Sequence, residues 1–271
     1  RLGFREEDLE TLRRYIKKPH GMILATGPTG SGKTTTLYSI LHVLNSRDIS
    51  IVTIEDPIEY SVTGITQLQV DIRTNFTFAT GLRSIVRQDP NIIMVGEIRD
   101  RETASISVNA AMTGHLLLST LHTTDAATTL PRLLDMGIEP FLIASTVNLI
   151  IGQRLVRRLC ETCRISAPLS EEERLALSPN LSEEVLNSAK TFWRPTGCEV
   201  CSHTGYTKRI GIYEILEVTE ALRSLIMRRA NADDAADAAK KEGMKTMLED
   251  GFLKAAQGMT SVAEIIRVIN D

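Results

Sequence analysis

Residues 27–34 read Gly-Pro-Thr-Gly-Ser-Gly-Lys-Thr and satisfy every fixed position of G-x-x-x-x-G-K-[ST]. Glycines in such a loop let successive backbone N–H groups turn inward around phosphate oxygens. A helix opening at the same point adds a partial positive charge. Gly27, Pro28, Thr29, Gly30, Ser31, Gly32, Lys33, Thr34 and Thr35 are therefore the candidate nucleotide-binding residues. Lys33 would reach the β- and γ-phosphates, and the Thr34 hydroxyl would ligate Mg²⁺. The bland alternative is a chance glycine-rich turn before a helix.

Such a loop needs acidic partners, and two groups follow strand-like runs: Glu55-Asp56-Pro57-Ile58-Glu59 and Gly96-Glu97-Ile98-Arg99-Asp100. Open α/β sheets place ligands at the carboxyl ends of their strands. An acid there can hold the water shell of Mg²⁺ or orient an attacking water, although acids after strands also cap helices. His115 and His122 flank an apolar run, and one of them could sense the γ-phosphate; a histidine beside a strand is more often structural. Arg83 and Arg87 share one helix face. They are either a solvated basic stripe or neutralisers of phosphoryl charge, across a subunit boundary in the second case.

All four cysteines fall in two C-x-x-C pairs, Cys160/Cys163 and Cys198/Cys201. Paired thiolates at this spacing read as one tetrahedral Zn²⁺ site rather than a secreted disulfide framework. Four thiolates leave no open position, so the zinc is expected to be structural. The spacer 164–197 is longer than usual, and a small helical excursion over 170–190 must fit within it. A pair of redox motifs is the alternative, disfavoured because neither pair opens a helix after a strand.

The elements that must position these groups are legible in the pattern. Apolar runs at 21–26, 51–54, 91–95 and 115–121 predict buried strands, and 65–70 predicts an edge strand. Helical spacing covers 34–45, 78–88, 103–112, 126–136 and 141–150. Strands alternating with helices imply a mostly parallel sheet covered on both faces. After about residue 160 the pattern changes: Ser170–Glu173 and Ser261–Glu264 read as capping boxes, 210–218 as a strand, and 233 onward as helix. Met244, Met247, Leu248, Phe252 and Leu253 are spaced as a packing face. The expected division is an α/β P-loop core over 1–158, a tetracysteine segment over 159–208 and a helical C-terminal segment over 209–271.

The chain has 271 residues, 42% of them apolar, and a net charge of −3. These values exclude a disordered or collagen-like chain and give no electrostatic case for nucleic acid. The apolar stretch 141–152 is too short and too polar to span a bilayer, and no signal peptide is recognisable. Opening on Arg1 rather than Met, the chain reads as a piece of something longer.

Taken together, the motifs resemble a known family. Residues 25–36 are similar to the Walker A of the assembly ATPases of type II secretion systems and type IV pili. Residues 53–59 resemble that family's aspartate box, 87–100 its variant Walker B and 113–122 its histidine box. The resemblance implies a RecA-like core hydrolysing Mg-ATP in a hexameric ring. It implies a place on the cytoplasmic face of the inner membrane, held there by a membrane platform and cytoplasmic linker proteins. It makes Glu97 the catalytic glutamate with Glu59 in support, and His122, with His115, the reporters on the γ-phosphate. Arg83, Arg87, Arg99 and Arg132 match arginines that the family uses around the nucleotide and between subunits. The tetracysteine unit is similar to that of assembly rather than retraction motors. Family members carry a preceding domain that supplies arginines to the ring, and this chain opens too close to Gly27 to include it. Glu59-Tyr60 and Gln67–Val70 lean toward type II secretion, with pilus assembly the alternative. A RecA-like nucleic-acid motor and a non-hydrolysing scaffold are the readings from other classes.

Overall fold

A computed structural model describes residues 2–270. The first half holds α1 (Glu6–Tyr15), β1 (Gly21–Thr26), α2 (Lys33–Leu44), β2 (Ile51–Glu55), β3 (Thr66–Gln69), α3 (Phe78–Val86), β4 (Ile92–Val95), α4 (Arg101–Met112) and β5 (Leu116–Leu121). Then come α5 (Thr129–Asp135), α6 (Pro140–Thr146), β6 (Val147–Leu159), β7 (Ile165–Ala167), α7 (Glu171–Leu177), α8 (Glu183–Asn187) and β8 (Phe192–Arg194). The rest is β9 (Tyr206–Glu217), α9 (Glu220–Met227), α10 (Ala232–Lys241), α11 (Met247–Ala256) and α12 (Val262–Asn270).

The helix starts follow from local chemistry. Thr77 with Thr80, Ser170 with Glu173 and Thr246 with Glu249 form reciprocal capping boxes. Asp100, Thr219 and Asn231 each accept a backbone N–H of the turn they open. The expected box at Ser261 is only half made. Ser261 Oγ accepts from Glu264 N at 3.2 Å, while the Glu264 carboxylate is engaged by Arg157 and Arg267.

The chain divides into two compact units: residues 6–152 with 215–244, and residues 2–5 with 153–214 and 245–270. This grouping differs from the three consecutive segments expected from the sequence. Residues 153–158 go with the cysteine region, and the C-terminal helices are shared between the units.

In the larger unit the strand order is β3-β2-β4-β5-β1-β6, and each of these pairings is parallel. Its core joins strand residues such as Leu24, Ile54, Ile93 and Leu117 to Leu82, Val108, Ile143 and Leu222 from the helices. Gly81 lets α3 lie close on β2, since a Cβ there would stand 2.2 Å from Ile54 Cδ1. The helix expected over 141–150 is corrected: it ends at Thr146, and Val147 begins a strand beside β1. Val147, Ile150 and Ile151 are β-branched and fully buried, and such residues pack best on a pleated sheet.

In the smaller unit, Leu177, Leu181, Leu186 and Phe192 pack on Leu248, Phe252, Val262 and Ile265. The segment between the cysteine pairs therefore shares its core with the C-terminal helices. Val156, Ile212, Met247 and Val268 form a second cluster. Residues 2–5 belong here as well: Phe4 stacks on Tyr213 at 3.8 Å, and Arg5 pairs with the buried Asp250.

The buried Glu264 ties α12 to β6 through Arg157 and pairs with Arg267 of its own helix. Burial opposes its charge, but hydrogen bonds from the two arginines prevail and hold its carboxyl at about 2, against an ordinary 4.5. A depressed carboxyl contributes stability that is complete above the unfolded value and is lost as pH falls toward the folded one. Glu264→Gln should therefore destabilise this unit by about 2 kcal/mol at neutral pH and flatten its acid melting curve below pH 4.5. Denaturant unfolding across pH checks this, and an unchanged acid profile would remove the assignment.

Candidate functional site

The P-loop lies between β1 and α2, where the pattern expects it. Gly27, Gly30 and Gly32 have φ of 143°, 78° and 87°, values that side chains other than glycine resist. Gly32 is the N-cap of α2 and makes no side-chain cap bond, so the first amides of the helix are left to an anion. Pro28, Thr29 and Gly30 are exposed, Ser31 and Lys33 are buried, and Thr34 and Thr35 open the helix. Lys33 Nζ donates to the carbonyls of Gly27 at 2.8 Å and Pro28 at 3.0 Å. Burial lowers its pKa, and attraction to Glu97 partly offsets this, so the two side chains sense each other.

Strand order explains that proximity. β5 lies between the P-loop strand β1 and β4, and all three run in one direction. Their C-terminal ends therefore bring Gly27, Glu97 and His122 to one edge. Glu97 is only 8% exposed. Its Oε1 pairs with Arg99 and its Oε2 lies 3.2 Å from His122 Nε2. The backbone holding it is pinned on both sides: Gly96 N donates to Ile54 O at 2.8 Å and Ile98 N to Thr120 O at 3.0 Å.

The other expected residues are placed differently. His115 precedes β5, so it stands at the opposite end of a six-residue strand from His122, roughly 20 Å away along the sheet. It is buried, with Nδ1 2.9 Å from the Ala110 carbonyl, and the structure does not bring it to the P-loop. Arg87 caps the C-terminus of α3 just before β4 starts, at that same far edge. Arg83 pairs with Glu102, and both are exposed. Arg132 is exposed on α5. Glu59 is exposed in the loop after β2, at the sheet edge shared with Glu97.

Sequence reasoning passed over a set of hydroxyls. Thr26, which precedes the loop, meets Thr123, which follows His122, and Thr123 Oγ1 reaches Thr129 Oγ1 at 2.9 Å. Thr26 and Thr123 adjoin recognised motifs, which is the signal the sequence offers, whereas Thr129 lies on α5 away from any motif.

The cysteines converge in the smaller unit. Their sulfurs all lie within 4.8 Å of one another. Cys160–Cys198 is 3.9 Å, and Cys163–Cys201 and Cys198–Cys201 are 3.8 Å. Four sulfurs each about 2.3 Å from a central Zn²⁺ stand about 3.8 Å apart, whereas a disulfide requires about 2.05 Å. Cys201 Sγ accepts backbone N–H bonds from Cys198 at 3.2 Å and Gly205 at 3.1 Å. Burial pushes that thiol up, but these N–H bonds outweigh it and bring it down to about 6, toward the thiolate a metal needs. Tight turns make the convergence possible: Ser202 and His203 have φ of 50° and 60°. At Gly205 (φ 75°) a Cβ would stand 2.3 Å from Pro195 Cβ. The donor set fits Zn²⁺, and no coordination position would remain for a substrate.

A P-loop on a parallel sheet, with an acid and a histidine on adjacent strand ends, defines a mixed α/β nucleotide-binding fold carrying a separate tetracysteine site. The chain belongs to the type II/IV secretion system protein family, whose model matches residues 1–267. Type II secretion system protein E of Aeromonas hydrophila is 47% identical over 270 residues, covering 100% of this chain and 53% of that protein. Type IV pilus assembly ATPase PilB of Pseudomonas aeruginosa is also 47% identical over 270 residues, covering 100% of this chain and 47% of that protein. The chain thus spans about half the length of the curated relatives it matches. Among solved structures, the pilus retraction motor PilT with bound ADP superposes with a TM-score of 0.71 at 28% identity, over 98% of this chain and 65% of that one. The Legionella pneumophila ATPase DotB gives 0.67 at 26% identity, over 97% and 63%. Among the described residues no helix is long and apolar enough to cross a membrane.

Proposed function

We propose that this chain is the ATP-hydrolysing part of a motor that powers pseudopilus assembly in type II secretion. The single observation that carries the reading is the meeting of Lys33, Glu97 and His122 at one sheet edge. Lys33 and the amides at the start of α2 neutralise the phosphate chain. Mg²⁺, held through the Thr34 hydroxyl, would neutralise further phosphate charge. Glu97 accepts a hydrogen bond from the attacking water and takes its proton, and His122 holds the Glu97 carboxylate in place. Glu59 supports the same step from the neighbouring loop. His115 has no part in the chemistry in this reading, since it lies at the far edge.

The motor works as a hexameric ring with a membrane platform and cytoplasmic linker proteins, on the cytoplasmic face of the inner membrane. Arg83, Arg87 and Arg132, which lie away from their own P-loop or on the surface, are then available to a neighbouring subunit. Zn²⁺ on Cys160, Cys163, Cys198 and Cys201 is structural. Relatives of both the secretion and the pilus kind are 47% identical, so pilus assembly is the second reading.

ATP turnover with Mg²⁺, followed together with mass by light scattering, tests the proposal. Wild-type turnover should rise with assembly, and Lys33→Ala should weaken nucleotide affinity by at least about tenfold, the loss of one buried charge-assisted contact. Turnover indifferent to Lys33, or salt-dependent affinity for single-stranded DNA, would overturn it.

A further inference from the structure

The loop that carries Glu59 is held by a set of side chains that the reaction itself does not use. Glu55, at the end of β2, is only 2% exposed. Its carboxylate accepts from Tyr38 Oη at 2.5 Å, from Thr53 Oγ1 at 2.5 Å and from Gln67 Nε2 at 3.2 Å. The three donors are neutral and come from three elements: α2, β2 and the edge strand β3. Gln67 Nε2 also lies within hydrogen-bond reach of Tyr38 Oη and of the Tyr60 carbonyl, both at 3.2 Å. Its Oε1 accepts from Val62 N at 2.7 Å. One turn of the pleat further on, Gln69 Oε1 accepts from Ile58 N at 3.2 Å. The Tyr38 ring packs on the Tyr60 ring at 4.6 Å. Burial, and then the hydrogen bond to Glu55, push the Tyr38 phenol up, so it remains a donor.

Burying a carboxylate among neutral donors is an expensive way to fill a sheet edge, because its desolvation is repaid only by complete hydrogen bonding. An apolar side chain would serve packing better. What the carboxylate achieves is a fixed relation between α2, the helix that begins with Lys33, and the loop 56–62. Ile58 is held on one side of Glu59, and Tyr60 and Val62 on the other.

We propose that Tyr38, Glu55 and Gln67 are positioning residues that fix the Glu59 loop against the P-loop helix and so set where the Glu59 carboxylate stands relative to bound nucleotide. This rests on the reading of Glu59 and Glu97 as nucleotide-site carboxylates. Displacement of a reacting group by about 1 Å costs up to about a hundredfold in rate, whereas nucleotide affinity depends on the P-loop amides and Lys33.

The test is steady-state ATP turnover and ADP affinity in the full-length protein. Tyr38→Phe and Gln67→Leu should each lower kcat about tenfold and leave ADP Kd within about twofold. The double variant should be little worse than Gln67→Leu alone, because both remove one relay. In a Glu59→Gln background Gln67→Leu should have no further effect on kcat. Unchanged kcat in both single variants, or a tenfold loss that persists without Glu59, overturns the proposal and assigns the network to sheet stability. Gln67 is partly exposed, so it carries the test should Tyr38→Phe fail to fold. Turnover that ignores Lys33→Ala defeats the underlying ATPase reading instead, whereas turnover that needs Lys33 but ignores Glu59→Gln overturns the positioning proposal alone.

Discussion

Glu97→Gln should reduce ATP turnover by two to three orders of magnitude, roughly the contribution of a positioned general base. Nucleotide affinity should be kept or improved, because the substitution removes a negative charge from the phosphate site while Lys33 and the α2 amides remain. The expectation follows from the geometry around the side chain. Glu97 is nearly buried, held between Arg99 and His122, and close enough to Lys33 to raise that amine's pKa against the pull of burial. The amide preserves volume and one acceptor, so the fold should survive. Single-turnover kinetics with a separate binding measurement separates chemistry from affinity. A variant that hydrolyses ATP at the wild-type rate would move the catalytic role to Glu59.

Zinc removal is the second large effect expected, and it should fall on one unit. Structural Zn²⁺ in small domains contributes about 10–16 kcal/mol of apparent binding energy, which is folding energy where the site does not preform. Cys201→Ser, or a strong chelator, should strip about one zinc per chain and unfold much of the unit formed by residues 2–5, 153–214 and 245–270. Cys201 is the sharpest choice, since its sulfur also accepts the two N–H bonds that shape the knuckle. Lys33, Glu97 and His122 all belong to the other unit, so nucleotide affinity should change far less than the melting transition. Elemental analysis, calorimetry and nucleotide titration on one sample check all three. Full stability of a zinc-free protein would show that the shared leucine and phenylalanine core suffices.

Much of the site could be read before the structure because its signals are contiguous. The P-loop and both cysteine pairs are defined by spacing within a few residues, and the structure keeps each intact. The edge position of β3 was visible in its alternation. Two expectations differ from what the fold places, each for a physical reason. Residues 141–150 are mostly apolar, and in such a run a buried strand and a buried helix give much the same composition. The β-branched cluster at Val147, Ile150 and Ile151 was the clue to the change at Thr146. His115 and His122 bracket one apolar run, which makes them look like a pair in the sequence. A strand rises about 3.3 Å per residue, so the two ends of that strand cannot share a site. The Tyr38–Glu55–Gln67 relay was out of reach for another reason. Its members are ordinary residues on separate elements, and only the fold brings them together.

The way the two units divide the chain bears on how it is made. The P-loop unit draws on no residue beyond 244, so all of it has left the ribosome once that stretch has emerged. The cysteine unit is complete only later. Phe4 and Arg5 are synthesised long before Tyr213 and Asp250, and Cys160 waits for Cys201 while Leu177 waits for Phe252. Cys160 and Cys163 therefore stay unpaired until Cys198 and Cys201 have emerged, and α11 and α12 then complete the unit's core. Truncation before α11 should leave a nascent chain with a finished nucleotide unit and a cysteine unit stripped of half its apolar core, a target for quality control rather than a working half.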